Sequence, residues 1–363
     1  MPDKVKETVL VTGAGGFVGS CAVRTILEQG KYNVIAHDLF EVDLDEAESL
    51  GAEVRKGDLT HRADCAKAVV NVDYILHLAA AYDLGLSRKA LMQGNHLATK
   101  KLGMTAALAG VKHFIYCSTA DTYGTHPEVP IREGARQVPD TDYSYSKLVA
   151  EQSIFRIGRE TQMPVTAIRP AIIYGPGGVY TASVLTIWPF LVQKYVGFMP
   201  KPKGGPMVNA VHVDDVVGSM IYLLGRDDAM GQAFNVADDD WLPLGEFIEN
   251  MWEPLGVKWK FTIPVFKMPL RIFGTMSNIM TPDFAIEWFN KLLQRQWGQV
   301  VVDRNLKPSL NPKLDRGLLN FTFSDRVYDN SKLKRAGYRF KYPHFDKGYS
   351  ETINWYKQNQ WLP

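Results

Sequence analysis

The chain has 363 residues, 46% hydrophobic and 22% charged, enough apolar content for a large core built as one α/β domain or two unequal ones. Its 41 basic and 39 acidic residues leave a net charge of +2, which excludes a global field that recruits nucleic acid or an anionic membrane and directs attention to small ligands. Three cysteines, Cys21, Cys65 and Cys117, are odd in number and lack metal-ligand spacing; with residues 1–8 charged and free of a secretory apolar region, a reduced, cytoplasmic protein without a bound metal is expected.

Taken in chain order, short β-branched runs alternate with helical patterns. Residues 8–12, 33–38, 52–58, 72–79, 113–118 and 164–173 read as strands, and 18–29, 62–70, 89–109 and 144–159 as helices. This order predicts right-handed crossovers and a doubly wound parallel sheet of the Rossmann type over residues 1–175. From residue 176 onwards the pattern loosens into Pro and Gly and predicts a smaller, irregular substrate-binding lobe, with elements at about 207–240 returning to the first domain. Two apolar segments, 181–200 and 261–289, read either as packing or as a greasy substrate lid and peripheral membrane contact; charges interrupt both, so no spanning helix is expected.

The first strand leads into Gly13-Ala14-Gly15-Gly16-Phe17-Val18-Gly19 and then a helical pattern. Glycines at 13, 16 and 19 permit a tight turn, close approach of backbone to pyrophosphate, and close packing of helix on strand. Asp38 ends the second strand 19 residues after Gly19, where a carboxylate can bind the adenosine ribose hydroxyls and repel a 2′-phosphate. NAD is therefore expected over NADP. Asp58 closes the third strand and suits either the adenine amino group or a turn, and the small Ala79 and Ala80 let a flat cofactor lie against the fourth.

Tyr143 and Lys147 are four residues apart, so on a helix they share one face. A phenol near pKa 10 is a poor base at neutral pH, and a neighbouring ammonium favours its ionised form. Ser118 and Thr119 end the fifth strand, where a hydroxyl can hold a substrate oxygen while the tyrosine exchanges its proton.

A glycine turn, an acidic strand end, a hydroxyl strand end and Tyr-x-x-x-Lys in that order resemble the extended short-chain dehydrogenase/reductase family, with matching stretches at residues 8–237 and 328–361. The resemblance implies that Tyr143 is the general acid/base, that Lys147 holds the nicotinamide ribose and lowers the tyrosine's pKa, and that Thr119, five residues ahead of Gly124, is the catalytic hydroxyl. It places Gly13, Gly16, Phe17 and Val18 at the phosphates and Asp38, Asp58 and Leu59 at adenosine. Ala79, Ala80, Asn95 and Pro170 fall towards the nicotinamide end. It also implies a homodimer through the helices at 89–109 and 144–159.

Nucleotide-sugar members of the family carry Asn after the sixth strand and Arg four residues before the His at position 212; here those places hold Ile172 and Val208. Lys201 and Lys203 are nearby cations without a demanding spacing. Arg169-Pro170-Ala171-Ile172-Ile173-Tyr174-Gly175-Pro176-Gly177 and Asn209-Ala210-Val211-His212-Val213-Asp214-Asp215 instead resemble the 3β-hydroxysteroid dehydrogenase branch. That branch handles sterols and related lipids, sometimes with decarboxylation or isomerisation. The expectation is an NAD-dependent dehydrogenase or ketoreductase for a hydrophobic secondary alcohol or ketone, with a nucleotide-sugar epimerase or dehydratase and a non-catalytic dinucleotide sensor as the alternatives. Asp214, Asp215 and His212 are assigned capping and packing, and the eight tryptophans are assigned packing.

Overall fold

A computed structural model describes residues 6–82, 86–179, 182–265, 283–313 and 324–363, with no side-chain description for 182–184, 193–196 and 283–285. The first half alternates β1 (Thr8–Thr12), α1 (Phe17–Gln29), β2 (Asn33–Asp38), α2 (Asp45–Ser49), β3 (Glu53–Lys56), α3 (Arg62–Ala68) and β4 (Tyr74–His77). Helix α4 (Arg88–Leu91) runs through a π-helical segment, Met92–Leu97, into α5 (Ala98–Leu108), followed by β5 (His113–Cys117), a 3₁₀ turn at Ala120–Tyr123, α6 (Asp142–Thr161) and β6 (Val165–Pro170).

The second half supplies β7 (Ile172–Tyr174), α7 (Ala182–Val196), β8 (Met199–Gly204), β9 (Met207–Val208), β10 (Ala210–His212), α8 (Val213–Leu223), β11 (Ala233–Val236) and β12 (Leu242–Pro243). It ends with α9 (Leu244–Trp252), β13 (Trp259–Val265), α10 (Asp283–Asp303), α11 (Ser331–Arg335) and α12 (Phe345–Gln358).

Seven strands form one parallel sheet in the order β3-β2-β1-β4-β5-β6-β11. Chain order reverses between β1 and β4, so a crevice opens there at the strands' carboxyl ends. The central strands are apolar on both faces: Leu10, Ile75 and Phe114 pack towards α5 and α6, whereas Val9, Val11 and Leu76 pack towards α1 and α8. Strand β11 is the element of the second half that joins this sheet.

A separate core builds the C-terminal lobe from Ile187 and Leu191 of α7, Phe247 and Trp252 of α9, Trp297 of α10, and Phe345, Tyr349 and Tyr356 of α12. The apolar segment 181–200 thus buries Ile187 and Leu191 in the lobe's interior. Of segment 261–289, residues 266–282 lie outside the described residues, and Phe289 packs against Trp188 with ring centroids 5.9 Å apart. Trp355 and Trp361 stand edge to face at 5.0 Å, as packing anchors. Among the described residues no helix is long and apolar enough to cross a membrane.

Two expected elements differ. The strand expected over 164–173 is two strands: Pro170 ends the pairing with β11, and Ile172–Tyr174 leaves to pair with β10. The helix expected over 89–109 is interrupted by the π-helical turn. Such a turn inserts one residue into the helical repeat and often marks a functional site.

Candidate active site

The turn after β1 has little room. Gly13 has φ +71°, and a Cβ there would stand 2.7 Å from Ala79 N; at Gly19 a Cβ would stand 1.9 Å from the carbonyl oxygen of Gly13. Only glycine lets the turn lie against the end of β4 while α1 lies against the turn. Helix α1 starts after Gly16 without a side-chain cap or a first-turn carboxylate, so its backbone N–H groups and positive dipole end are available to an anion.

The Asp38 carboxylate is fixed at the rim of this turn. Oδ2 accepts the Gly15 N–H and Oδ1 the Leu39 N–H, both at 2.9 Å. Asp38, Asp58, Leu59, Ala79 and Ala80 line a cavity of about 680 Å³ on this side. Asp58 also accepts the Thr60 N–H at 2.8 Å, so its turn role and its place at the cavity coexist.

Gly13, Gly16, Leu78 and Ala80 also line a second cavity of about 250 Å³, which makes the two one continuous cleft. Phe17, Val18, Thr119, Tyr143, Lys147 and Pro170 line that second part. Tight glycines, a capless helix end and a clamped carboxylate together fit a dinucleotide with its phosphates at α1 and its adenosine ribose at Asp38.

Helix α6 is aimed by a capping box. Thr141 Oγ1 accepts the Ser144 N–H at 3.1 Å and Ser144 Oγ accepts the Thr141 N–H at 3.2 Å, which puts Tyr143 in the first turn and Lys147 one turn later. Lys147 is 2% exposed. Its Nζ donates to the carbonyl oxygen of Cys117 at 2.6 Å and lies 4.5 Å from the Tyr116 ring centroid. Burial pulls its pKa down to about 8, with Cys117 and Glu151 acting in the opposite direction. Burial also pushes the Tyr143 phenol well above its usual value, and Tyr82, Cys117, Asp121 and Tyr116 add to that rise. Desolvation of the phenolate sets the direction of the shift at Tyr143.

Ser118 and Thr119 both line the cleft. Thr119 Oγ1 accepts the Asp121 N–H at 3.2 Å, which leaves its proton free to donate to a substrate oxygen. Ser118 Oγ is buried without a hydrogen-bond partner among the described residues.

Asn95 is placed differently from the reading. It does not line the cleft; it is 1% exposed and lies behind the floor. Its Oδ1 accepts the Ala81 N–H at 2.6 Å and its Nδ2 donates to Ala81 O at 3.1 Å and to Ser146 Oγ at 2.9 Å. Ser146 Oγ donates to Tyr143 O at 2.7 Å. A second polar run meets it there. The Ala79 N–H donates to Thr12 Oγ1 at 3.3 Å, and Thr99 Oγ1 donates to Asn95 O at 2.5 Å. Between them His77 bonds Thr12 Oγ1 through Nδ1 at 2.7 Å and Thr99 Oγ1 through Nε2 at 2.9 Å. Because Thr99 gives its proton to Asn95 O, it accepts from His77, which fixes the proton on Nε2. The π-helical turn therefore ties the floor to α6.

Several residues at the site were given no role by the sequence. Tyr82 stands edge to face with Tyr143, ring centroids 4.9 Å apart. Asp121 lines the cleft beside it. Arg326 reaches Asp121 at 3.4 Å and Asp140 at 2.6 Å from the C-terminal lobe. Arg169 of β6 pairs with Glu151 of α6 at 2.5 Å, buried on both sides, and donates to Tyr123 Oη at 2.7 Å. Lys201 pairs with Glu249 at 2.5 Å and lies outside the cleft lining. Asp215 is more than a helix-end carboxylate, since it accepts the N–H groups of Lys341 and Tyr342 and the Tyr338 hydroxyl. His212 is buried, with its ring centroid 4.0 Å from that of Tyr342.

Residues 9–237 match the model of the NAD dependent epimerase/dehydratase family. Over 285 residues the chain is 26% identical to a UDP-glucose 4-epimerase of Vibrio cholerae, covering 75% of this chain and 84% of the relative. Over 267 residues it is 29% identical to a 3 beta-hydroxysteroid dehydrogenase/Delta 5-->4-isomerase of Mycobacterium tuberculosis, covering 69% and 70%. Its fold is similar to that of a UDP-glucose 4-epimerase of Thermotoga maritima, with a TM-score of 0.71 at 19% identity over 97% of this chain and 99% of that one.

Proposed function

The chain belongs to the NAD-dependent epimerase/dehydratase family and is an NAD-dependent enzyme acting on CH–OH groups, and on that premise we propose that it interconverts a secondary alcohol and a ketone on a hydrophobic substrate, a 3β-hydroxysteroid or sterol-like lipid. The observation that carries this reading is the wall around Tyr143. Tyr82, Ala171, Ile172 and Ile173 line it, and among the described lining residues Lys147 is the one cation. The Arg that nucleotide-sugar members use at the substrate diphosphate has no counterpart in this wall, whereas a large apolar ligand needs such walls, with each buried CH₂ contributing about 0.8 kcal/mol. Arg169 and Arg326, the buried guanidiniums nearest the site, are engaged by Glu151 and by Asp121 with Asp140.

In the oxidising direction Tyr143 Oη takes the hydroxyl proton and Thr119 Oγ1 donates to the reacting oxygen. NAD, when bound, accepts the hydride, and its positive nicotinamide ring favours the phenolate that burial opposes. Lys147 would hold the nicotinamide ribose; its place in the cleft lining and its bond to Cys117 support that role. In the reducing direction the neutral phenol, the form burial favours, is the proton donor.

A nucleotide-sugar epimerase is the second reading, favoured by the likeness to the Vibrio cholerae relative. A thermal-shift panel with NAD, NADP, sterols and nucleotide sugars separates the two. Added stabilisation of the NAD-loaded protein by a 3β-hydroxysteroid supports the first reading; stabilisation by a nucleotide sugar and by no sterol overturns it. We also propose a cytoplasmic homodimer that pairs through α5 and α6. Exposed Met104 and Leu108 on α5 and the three free, buried cysteines are in keeping with it, and light scattering measures the mass.

A further inference from the structure

We propose that Tyr356 is a positioning residue: from the C-terminal helix it holds the glycine turn behind the apolar wall of the reaction cavity, and so sets the affinity for substrate. The inference rests on the reading above in one respect, that Ile172 and Ile173 face the substrate. Both line the cavity around Tyr143, and both belong to β7, a three-residue strand that has left the central sheet to pair with β10. Directly after β7 comes Gly175-Pro176-Gly177-Gly178, the passage from that strand towards α7.

Three of these four residues have no side chain with which to anchor the turn, and Gly175 and Gly177 take φ of +143° and +83°. The Gly178 N–H donates to Gly175 O at 3.1 Å and closes the turn on itself. Tyr356 reaches it from 178 residues further along the chain: Oη donates to Gly178 O at 2.8 Å and lies 3.4 Å from Gly175 O. On the opposite side a Cβ at Gly177 would stand 4.0 Å from Phe17 Cδ2, so the turn lies against a second side chain that lines the cavity.

The phenol is itself held firmly. Tyr356 is 1% exposed and stacks on Trp361 with ring centroids 5.4 Å apart. Seven residues earlier on α12, Tyr349 bonds the hydroxyl of Thr186 on α7. Residues two helical turns apart share a face, so one face of α12 grips both the glycine turn and the helix that follows it.

A glycine turn loses more backbone freedom on ordering than other sequences do, and a bond from a rigid partner supplies part of that ordering before substrate arrives. Without the bond, substrate must order β7 as it binds. Thr119, Tyr143 and Lys147 stand on β5's end and on α6, so the cost falls on binding and not on proton or hydride transfer.

The test compares the NAD-loaded full chain with Tyr356→Phe, which keeps the ring in its stack and removes the hydroxyl. The KM for a 3β-hydroxysteroid, or for UDP-glucose if that is what the wild type turns over, should rise by about 3-fold to 10-fold, the worth of one neutral hydrogen bond. The kcat and the Kd for NAD should stay within about 2-fold. Hydrogen exchange should quicken over residues 172–179 and stay unchanged over β1. An unchanged KM, exchange that quickens evenly through the chain, or a loss confined to kcat and Tm overturns the assignment. Gly177→Ala strains the same turn at φ +83° without altering α12; it should raise the same KM, and it decides the matter if Tyr356→Phe does not fold. Turnover of UDP-glucose and of no steroid overturns the sterol reading alone, and turnover of neither overturns the reading of the site and the assignment with it.

Discussion

Lys147 Nζ lies 2.6 Å from the carbonyl oxygen of Cys117, so the cation of the Tyr143–Lys147 pair is tied to the end of strand β5. The bond fixes the ammonium between the strand and the helix that carries the tyrosine. Lys147→Met keeps side-chain volume but removes the cation. It should lower kcat by about 100-fold or more and weaken NAD binding, with little change in Tm. Steady-state kinetics, an NAD titration and a thermal melt check this.

Ser118 and Thr119 make different predictions. Thr119 Oγ1 is oriented by the Asp121 N–H, so Thr119→Val should cost about 100-fold to 1,000-fold in kcat without altering the affinity for NAD. Ser118 Oγ is buried and has no partner among the described residues, so Ser118→Ala removes a desolvation cost and should raise stability by about 1 kcal/mol. Denaturant unfolding of the two variants, with turnover measured in parallel, distinguishes them.

Much of this was legible in the chain. Strands β1 and β2 occur at the expected residues 8–12 and 33–38, because apolar runs flanked by glycine or polar residues have few alternatives. The cleft collects nearly every residue assigned to it, since strand ends and a glycine turn converge wherever parallel strands cross over. Asn95 escaped because a helical repeat does not reveal a π-helical insertion, and that insertion places the amide behind the floor. Arg326 escaped for another reason: its partners Asp121 and Asp140 are 205 and 186 residues away, and no local pattern encodes such a pairing. The burial of the tyrosine was not legible because sequence spacing reports a neighbouring charge and says nothing of desolvation.

The buried run through Asn95 gives a prediction about positioning. Asn95→Ala leaves the Ala81 N–H without its acceptor and Ser146 Oγ without its donor, and should destabilise the protein by about 1–3 kcal/mol. It should also lower kcat more than it raises the KM for NAD, because Ser146 bonds the carbonyl of Tyr143 itself. Asn95→Asp, which keeps the acceptor for Ala81 but loses the donor, should fall between wild type and alanine in both measurements.

Buried histidines contribute to the acid limit. Burial holds His113 and His212 down to about 4 and His77 down to about 3. The Gly225 N–H donates to His113 Nδ1 at 3.0 Å and the Asp214 N–H to His212 Nδ1 at 3.1 Å, so protonation there would set donor against donor. Each folded-state pKa lies below its unfolded value of about 6.5, so the unfolded chain binds more protons between them. Stability is therefore fully present above about pH 6.5 and falls as pH drops towards 4, on the order of 1.4 kcal/mol per pKa unit for each group. Urea midpoints across that range should decline, and His113→Gln should flatten the decline.

The most direct test of the central claim is NAD reduction by wild type and Tyr143→Phe with a 3β-hydroxysteroid, with NAD binding measured on both. Wild type should reduce NAD, and Tyr143→Phe should bind NAD unchanged while losing turnover by about 100-fold to 10,000-fold. Turnover by Tyr143→Phe near the wild-type rate would contradict the account.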